Sequence, residues 1–435
     1  MKIYILSLGC AKNKVDSECL VGWLEQEGFE IVACAEEADC AIINTCGFIR
    51  PAVEENIEEI LNMEELKETG QLKKIGVVGC LFNRYGDDLK REFKHVDFWA
   101  KSEDWESVVK SLKGQTQKTQ NCRERGKLPA SPLFSRYLKI VEGCENKCAY
   151  CAIPSIRGEL KSLTQETIVN EATKLVEIGA KELCVVGQDL TVYGTDFDGK
   201  SHLLELLDNL EKALPNDIWI RLLYLHPVRV SDKLLERVAC GKQILPYLDI
   251  PIQHADPKIL SAMNRGQDSS DLLRVFKTAR SIRPDFALRT TCMVGFPGEQ
   301  EKHFANLLNF LEQVKFDRLG AFTYFKEEGT LADAMPHQCR EATKQKRLAH
   351  LMSLQENISQ SRQNLFIGKT MQVLVEEVNL AEDYAIARSY REAPEVDGVI
   401  EIRGLKDSPT LSAGDFVNVE IEDATPHDMI ATLVL

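Results

Sequence analysis

Cys144, Cys148 and Cys151 form a Cys-x-x-x-Cys-x-x-Cys motif that directly follows a predicted strand. No fourth cysteine or histidine stands near them, whereas a structural zinc site is closed by four ligands. Three thiolates suit a 4Fe–4S cluster in which one iron keeps an open position for a substrate or cofactor. The alternatives are a structural metal knuckle or three unconnected core cysteines.

A second set of cysteines, Cys10, Cys46 and Cys80, is spread along the first eighty residues. Each follows a predicted strand, and the carboxyl ends of parallel strands share one edge of a sheet. A glycine beside each cysteine allows the backbone to approach a bulky inorganic group. The pattern predicts a second cluster, with three buried core cysteines as the alternative. The other eight of the fourteen cysteines show no such grouping.

Around Cys10, Cys46 and Cys80, the sequence alternates between short apolar runs and amphipathic stretches. This pattern is typical of parallel strands joined by helices. Strands are predicted at residues 3–8, 41–44 and 74–79. Helices are predicted at residues 14–28, 51–70 and 83–93. We expect an α/β, Rossmann-like parallel-sheet domain over residues 1–115, followed by a polar linker at 116–135.

The alternation continues for six rounds over residues 136–340. Strands are predicted at residues 137–142, 182–187, 219–225, 247–252, 287–295 and 316–324. Six βα units are too few for a closed eightfold barrel and predict a partial (βα)6 barrel, whose site lies at the carboxyl ends of its strands.

Residues 341–366 read as a helical connector, and the pattern then changes to short alternating strands. These are predicted at residues 371–378, 384–389, 398–402, 416–421 and 429–435. Five strands in so short a segment indicate a small antiparallel β-barrel over residues 367–435.

The composition of the 435-residue chain is that of an ordinary globular protein, with 44% hydrophobic and 28% charged residues. Its formal net charge of −14 excludes a surface devoted to nucleic acid as a whole. No apolar run approaches the length that spans a bilayer, so we expect no membrane association. The apolar run after Lys2 is too short for a secretory signal, and we therefore interpret the cysteines in a reducing cytoplasm.

Over its full length the sequence resembles the radical S-adenosylmethionine methylthiotransferases. That family has an amino-terminal domain with three cluster cysteines, a radical core and a carboxyl-terminal TRAM barrel. Residues 7–18 (Ser-Leu-Gly-Cys-Ala-Lys-Asn-Lys-Val-Asp-Ser-Glu) and 142–158 are similar to the branch that methylthiolates an aspartate β-carbon in the twelfth protein of the bacterial small ribosomal subunit. The transfer-RNA branches usually have a Gln-Met pair where this chain has Ala11-Lys12.

The resemblance implies S-adenosylmethionine as cofactor and two 4Fe–4S clusters, held by Cys144, Cys148 and Cys151 and by the second set. It implies no catalytic side chain, because the clusters and the cofactor carry the chemistry. It also implies that a group of residues at strand ends contacts the cofactor: Tyr150, Gly187, Gln188, Asp189, Arg221, Gln253, Gly295 and Gly298. As alternatives, residues 295–298 form only a tight turn and Arg221 only an ion pair.

Two positions depart from the family pattern. Lys161-Ser162-Leu163 stands where an Arg-Ser-Arg run is common, and Phe325 follows Tyr324 where serine is common. Both departures bear on local contacts to substrate or cofactor rather than on the cluster ligands.

The implied substrate is the small-subunit ribosomal protein, and the implied electron donor is a flavodoxin or ferredoxin. Between residues 367 and 435 we count five basic residues against fourteen acidic ones, so this segment should repel RNA and attract a basic ribosomal protein. We therefore expect no direct nucleic-acid binding. The rival functions are methylthiolation of a transfer-RNA adenosine and an iron-sulfur electron carrier or scaffold.

Overall fold

The computed structural model describes residues 1–114, 124–129, 131–266, 268–405 and 411–434. Five parallel strands form the sheet of the amino-terminal domain: β1 (Lys2–Ser7), β2 (Glu30–Val32), β3 (Cys40–Thr45), β4 (Lys74–Gly79) and β5 (Phe98–Ala100). They lie in the order β2-β1-β3-β4-β5. Helices cover them: α1 (Ala11–Gln26), α2 (Arg50–Glu68), α3 (Cys80–Tyr85), α4 (Asp87–Glu92) and α5 (Trp105–Lys113).

The position of each strand in the sheet explains which strands could be predicted from the sequence pattern. The central strand β3 is buried at every residue, and its apolar run was easily recognised. Strands β2 and β5 are three residues long and lie at the edges, so they show no pattern and were not predicted. The single helix predicted at residues 83–93 is two helices, because the backbone turns at Gly86 with a φ of 51°.

Six parallel strands form the central domain: β6 (Ser135–Lys139), β9 (Glu182–Val186), β10 (Trp219–Leu222), β11 (Tyr247–Asp249), β12 (Ala287–Val294) and β13 (Arg318–Thr323). They pair as two sheets, β10-β9-β6 and β11-β12-β13, which a backbone bridge between Ile220 and Ile244 joins. The predicted partial barrel of six strands is thereby confirmed.

Helix α6 (Ile153–Arg157) lies at the boundary with the amino-terminal domain, where it packs against α3. The other helices of the central domain are α7 (Gln165–Glu177), α8 (Thr195–Asp198), α9 (Leu203–Ala213), α10 (Asp232–Cys240), α11 (Pro257–Ala262), α12 (Ser269–Ile282) and α13 (Glu301–Val314). The strand predicted at residues 137–142 is interrupted at Ile140. Its second part, β7 (Val141–Glu142), pairs antiparallel with β8 (Lys161–Ser162), so the departure at Lys161 lies in a two-stranded pair that brackets the cysteine loop and α6.

Helix α14 (Glu341–Gln363) leads into a closed barrel of five strands: β14 (Thr370–Asn379), β15 (Tyr384–Arg388), β16 (Ile400–Arg403), β17 (Phe416–Ala424) and β18 (Met429–Leu433). The expected barrel is confirmed, but not its uniform antiparallel pairing. Strands β16 and β18 run parallel, because the chain crosses from β16 to β17 before β18 returns beside β16. Leu435, the last residue of the predicted fifth strand, lies outside the described residues.

Buried ion pairs join the amino-terminal and central domains. Where the polar linker was predicted, residues 116–123 and 130 lie outside the described residues, but Arg125 is buried and pairs with Glu18 of α1 and Glu171 of α7. Lys139 of β6 pairs with Asp16 of α1, and this ion pair holds α1 against the central domain. The amino-terminal and central domains therefore meet through charged groups that are removed from solvent.

No helix among the described residues is both long and apolar enough to cross a membrane.

Candidate functional site

A cavity of about 370 Å³ lies between the amino-terminal and central domains, and all six cysteines of the two sets line it. Cys10, Cys46 and Cys80 stand after β1, β3 and β4, at the carboxyl edge of the first sheet. The other three occupy the loop between β7 and α6. The structure thus brings together two sets that are separated by more than sixty residues of sequence.

The amino-terminal set is packed so closely that glycine is required beside it. Gly9 has a φ of 91°, and a Cβ there would lie 2.6 Å from the Cβ of Cys46. Gly79 has a φ of 101°, and its Cβ would lie 2.4 Å from Asn44 Oδ1. Both positions combine a left-handed backbone with lack of space, so a side chain at either would displace the cysteines.

A hydrogen bond reaches the sulfur of Cys80 from the central domain. Arg157 Nε donates to Cys80 Sγ at 2.9 Å, and the rest of its guanidinium binds Asp16, Glu142 and Asn13. Burial raises the pKa of the Cys80 thiol to about 12, although the charge of Arg157 opposes this effect.

Cys144, Cys148 and Cys151 have a similar environment. Ile153 N donates to Cys151 Sγ at 3.4 Å, and Arg265 lies 3.8 Å from Cys148 Sγ. Burial raises the pKa of Cys151 to about 12. A thiol of this kind gives up its proton when it binds a metal. Three soft sulfur ligands with hydrogen-bond donors aimed at them fit an iron-sulfur cluster on each side of the cavity.

Three of the predicted cofactor residues, Tyr150, Gln188 and Gln253, line this cavity. Gln253 has a left-handed backbone, with a φ of 66°. The side-chain Oε1 atoms of Gln188 and Gln253 are buried and have no hydrogen-bond partner among the described residues. A buried acceptor without a donor is costly, so both oxygens are suited to bind donor groups of a molecule in the cavity.

Gly187 and Asp189 lie behind the cavity wall and position groups that line it. The carbonyl oxygen of Gly187 accepts from Lys12 Nζ at 3.4 Å. Asp189 accepts from Asn146 at 2.9 Å and pairs with Arg229. Burial would raise the pKa of Asp189, but the charge of Arg229 and the hydrogen bonds from Thr191 and Asn146 together outweigh burial and lower it.

The structure does not bring Gly295, Gly298 or Arg221 to the cavity wall. Gly295 N donates to Glu299 at 2.7 Å, and a Cβ on Gly295 would lie 2.3 Å from the side chain of Lys344, so the segment packs as a turn against α14. Arg221 is fully buried elsewhere. It pairs with Glu182 at 2.8 Å and donates to the carbonyl oxygen of Tyr390 at 2.7 Å, in the region that follows β15.

Comparison with known proteins assigns all three domains. Residues 2–101 match the uncharacterized protein family UPF0004, residues 138–311 the radical SAM superfamily and residues 367–434 the TRAM domain. The ribosomal protein uS12 methylthiotransferase RimO of Clostridioides difficile is 40% identical over 444 residues, which cover 100% of this chain and 99% of the relative. RimO of Syntrophomonas wolfei is 41% identical over 440 residues, which cover 99% of each chain.

The chain belongs to the uS12 methylthiotransferase family of radical S-adenosylmethionine enzymes.

Solved structures share its fold at low sequence identity. The methyltransferase TsrM from Kitasatospora setae has a TM-score of 0.57 at 14% identity, and the match covers 74% of this chain and 72% of TsrM. The radical enzyme OxsB has a TM-score of 0.52 at 11% identity, and the match covers 82% and 56% of the two chains. Membership of the radical S-adenosylmethionine superfamily implies S-adenosylmethionine and a 4Fe–4S cluster as cofactors.

In this methylthiotransferase the cavity wall also contains residues that sequence analysis did not select: Lys12, Asn13, Arg157, Tyr224, His226 and Arg265. Lys12 and Arg157 lie within the two segments that carry the family resemblance, residues 7–18 and 142–158, and this position in the sequence could have identified them as site residues. Burial, aided by the charge of Arg265, lowers the pKa of His226 to about 3, so this histidine is neutral. Phe325, one of the two departures, lines the cavity beside Tyr324 and adds to its apolar wall.

Proposed function

We propose that this chain methylthiolates the β-carbon of an aspartate in ribosomal protein uS12. One observation carries the proposal: a single cavity is lined by two separate sets of three cysteines. Three cysteines would leave one iron of a 4Fe–4S cluster without a protein ligand. Two such cysteine sets on the wall of one cavity suit a reaction in which one side activates the substrate carbon and the other presents sulfur.

Cys144, Cys148 and Cys151 would hold the radical-generating cluster, and Cys10, Cys46 and Cys80 an auxiliary cluster. When bound, the cofactor supplies the one-electron chemistry that breaks an unactivated C–H bond, which side-chain acids and bases do not achieve. The apolar lining keeps water from reactive groups, and residues such as Met293 and Phe322 belong to it. Tyr150, Gln188 and Gln253 would orient the cofactor, with Gly187 and Asp189 behind them.

We propose that the barrel binds uS12 through its acidic surface. Two of its arginines, Arg388 and Arg391, are fully buried and pair with Glu182 and Asp317 of the central domain. They therefore contribute no positive charge to the exposed face. Acidic side chains remain exposed on β14 and β17: Glu377, Glu420, Glu422 and Asp423. A negatively charged face of this kind favours a basic protein over an RNA backbone.

The remaining assignments are proposals of the same kind. The cluster chemistry needs an electron donor, for which we propose a flavodoxin or ferredoxin, and a reducing compartment, for which we propose the cytoplasm. We propose domain boundaries at residues 1–115, 136–340 and 367–435, joined by a linker and by the connector that α14 forms.

Anaerobic reconstitution followed by mass spectrometry tests the function. The loaded protein is incubated with reductant, S-adenosylmethionine and either uS12 or transfer RNA. We expect a methylthio group on one aspartate of uS12, together with methionine and deoxyadenosine from the cofactor. Modification of transfer RNA instead would support the first rival function. Absence of cofactor cleavage would leave only the electron carrier or scaffold.

A further inference from the structure

Lys12 is a half-buried cation on the cavity wall that forms no ion pair with a carboxylate of the described residues. Its ammonium donates to the carbonyl oxygen of Gly187 at 3.4 Å and lies 4.1 Å from the centre of the Tyr224 ring. No carboxylate among the described residues forms an ion pair with it. An ammonium has three donors, so two of them remain free for a molecule in the cavity.

The other cations on the cavity wall are engaged or lie elsewhere. Arg157 uses every nitrogen of its guanidinium on Cys80, Asp16, Glu142 and Asn13. Arg265 donates to the hydroxyl of Tyr150 and lies beside Cys148, on the side of the radical-generating set. Lys12 stands two residues after Cys10, on the side of the amino-terminal set. Among the described residues that line the cavity, Lys12 is therefore the cation on the side of the amino-terminal set that has no carboxylate partner.

The position of Lys12 is fixed by groups that are themselves held. Tyr224 has a left-handed backbone with a φ of 67°, and its N–H donates to Asp249 at 3.2 Å. Asp249 in turn pairs with Arg289 at 3.0 Å. A left-handed backbone at a tyrosine persists only where surrounding contacts impose it. The contact of Lys12 with the ring of Tyr224 therefore indicates a preorganised site.

We infer that Lys12 binds the carboxylate of the substrate aspartate and so selects aspartate at the auxiliary side of the cavity. The inference rests on the proposed function. The β-carbon of an aspartate is bonded directly to its carboxyl carbon, about 1.5 Å away. The group that receives the carboxylate must therefore lie beside the cysteine set that presents sulfur. Moving a carboxylate into an apolar cavity also requires a counter-charge, which Lys12 provides.

Binding to two forms of uS12 tests the inference without any reaction. One form carries the target aspartate and the other carries asparagine in its place. We expect the cluster-loaded parent to bind the aspartate form about tenfold to a hundredfold more tightly, as measured by calorimetry. Lys12→Met should remove this preference by weakening binding of the aspartate form only, whereas Lys12→Arg should keep most of it.

Lys73→Met is the matched control, because Lys73 pairs with Asp39 on the exposed surface and does not line the cavity. It should keep the parent's preference. The variants are compared at equal iron content. If Lys12→Met keeps the parent's preference, or if the parent has none while still modifying uS12, the inference is overturned and the proposed function stands. A parent that neither binds nor modifies uS12 would overturn both.

Discussion

Arg157 of the central domain donates a hydrogen bond from Nε to Sγ of Cys80 in the amino-terminal domain, at 2.9 Å. The residue that ends α6, six positions after Cys151, therefore contacts a ligand of the other cysteine set. Because its remaining nitrogens bind Asp16, Glu142 and Asn13, the guanidinium has no freedom to turn away. One side chain of the central domain thus holds a cysteine of the amino-terminal set.

The first prediction concerns this contact. Arg157→Met should weaken iron binding by the amino-terminal set about tenfold, because groups that hydrogen-bond to metal ligands stabilise the bound metal. Iron retained against a chelator is measured in a background in which the other three cysteines are alanine. Arg84→Met is the control, since Arg84 pairs with Glu327 across the same interface without contacting a cysteine. Equal loss in both variants would assign the effect to domain contact alone.

The second prediction separates the two sets. Replacing Cys144, Cys148 and Cys151 by alanine should remove about half the iron and all cleavage of S-adenosylmethionine. The corresponding change of Cys10, Cys46 and Cys80 should preserve cleavage but abolish sulfur insertion. Iron analysis and product chromatography measure both effects, and a Cys34→Ala, Cys240→Ala variant should resemble the parent. Unchanged iron in the first variant would contradict the assignment.

The third prediction concerns the acidic face of the barrel. Reversing Glu377, Glu420, Glu422 and Asp423 to lysine should weaken uS12 binding and remove much of its salt dependence, because charge attraction between exposed groups is screened by ions. Glu376 and Asp383 are left unchanged: Glu376 pairs with Arg388, and Asp383 accepts from Leu405 N.

The control for the third prediction replaces four exposed glutamates of α2 by lysine: Glu55, Glu58, Glu65 and Glu68. Both variants have the same net charge, so only a barrel-specific loss of affinity supports docking there. S-adenosylmethionine cleavage without uS12 should match the parent in both. If the barrel variant binds and modifies uS12 as the parent does, the docking proposal is wrong.

The fourth prediction is a pH dependence of stability. Burial disfavours the charge of Glu182, but Arg388 and Arg221 outweigh burial and lower the pKa of Glu182 from 4.5 to about 2. A carboxylate with a lowered folded-state pKa contributes stability that is complete above the unfolded-state pKa and is lost as the pH falls through the folded one. We therefore expect the free energy of unfolding to fall by roughly 3 kcal/mol from this group between pH 4.5 and 2.

Urea unfolding monitored by tryptophan fluorescence measures this loss, since Trp219 packs against Phe416 of the barrel with ring centres 4.8 Å apart. Glu182→Gln should flatten this part of the pH profile and destabilise the protein at pH 7, because two arginines would remain buried without their partner. Glu166→Gln, at an exposed position of α7, should keep the parent's profile. An unchanged profile in Glu182→Gln would contradict the prediction.

Local sequence patterns predict the order of the three domains, two α/β domains and then a β-barrel, and the identity of the six candidate cluster ligands. Hydrophobic period and motif spacing are local properties, so strands such as β4 could be located to the residue. The edge strands β2 and β5 were missed because three residues are too few to show a hydrophobic period. The turn at Gly86 was missed because the presence of a glycine does not reveal its backbone conformation. The parallel pairing of β16 and β18 was missed because pairing depends on distant segments.

The way the domains face one another depends on contacts between distant segments and is visible only in the folded chain. Cys80 and Arg157 are 77 residues apart, and no local pattern relates them. Arg221 stands at a strand end as the cofactor residues do, yet packing against the barrel gives it Glu182 as its partner. Lys12, by contrast, has no carboxylate partner among the described residues, although its helix is rich in charge. Which charges are paired depends on the burial of surfaces between domains, because solvation and ion pairing compete only once the chain is folded.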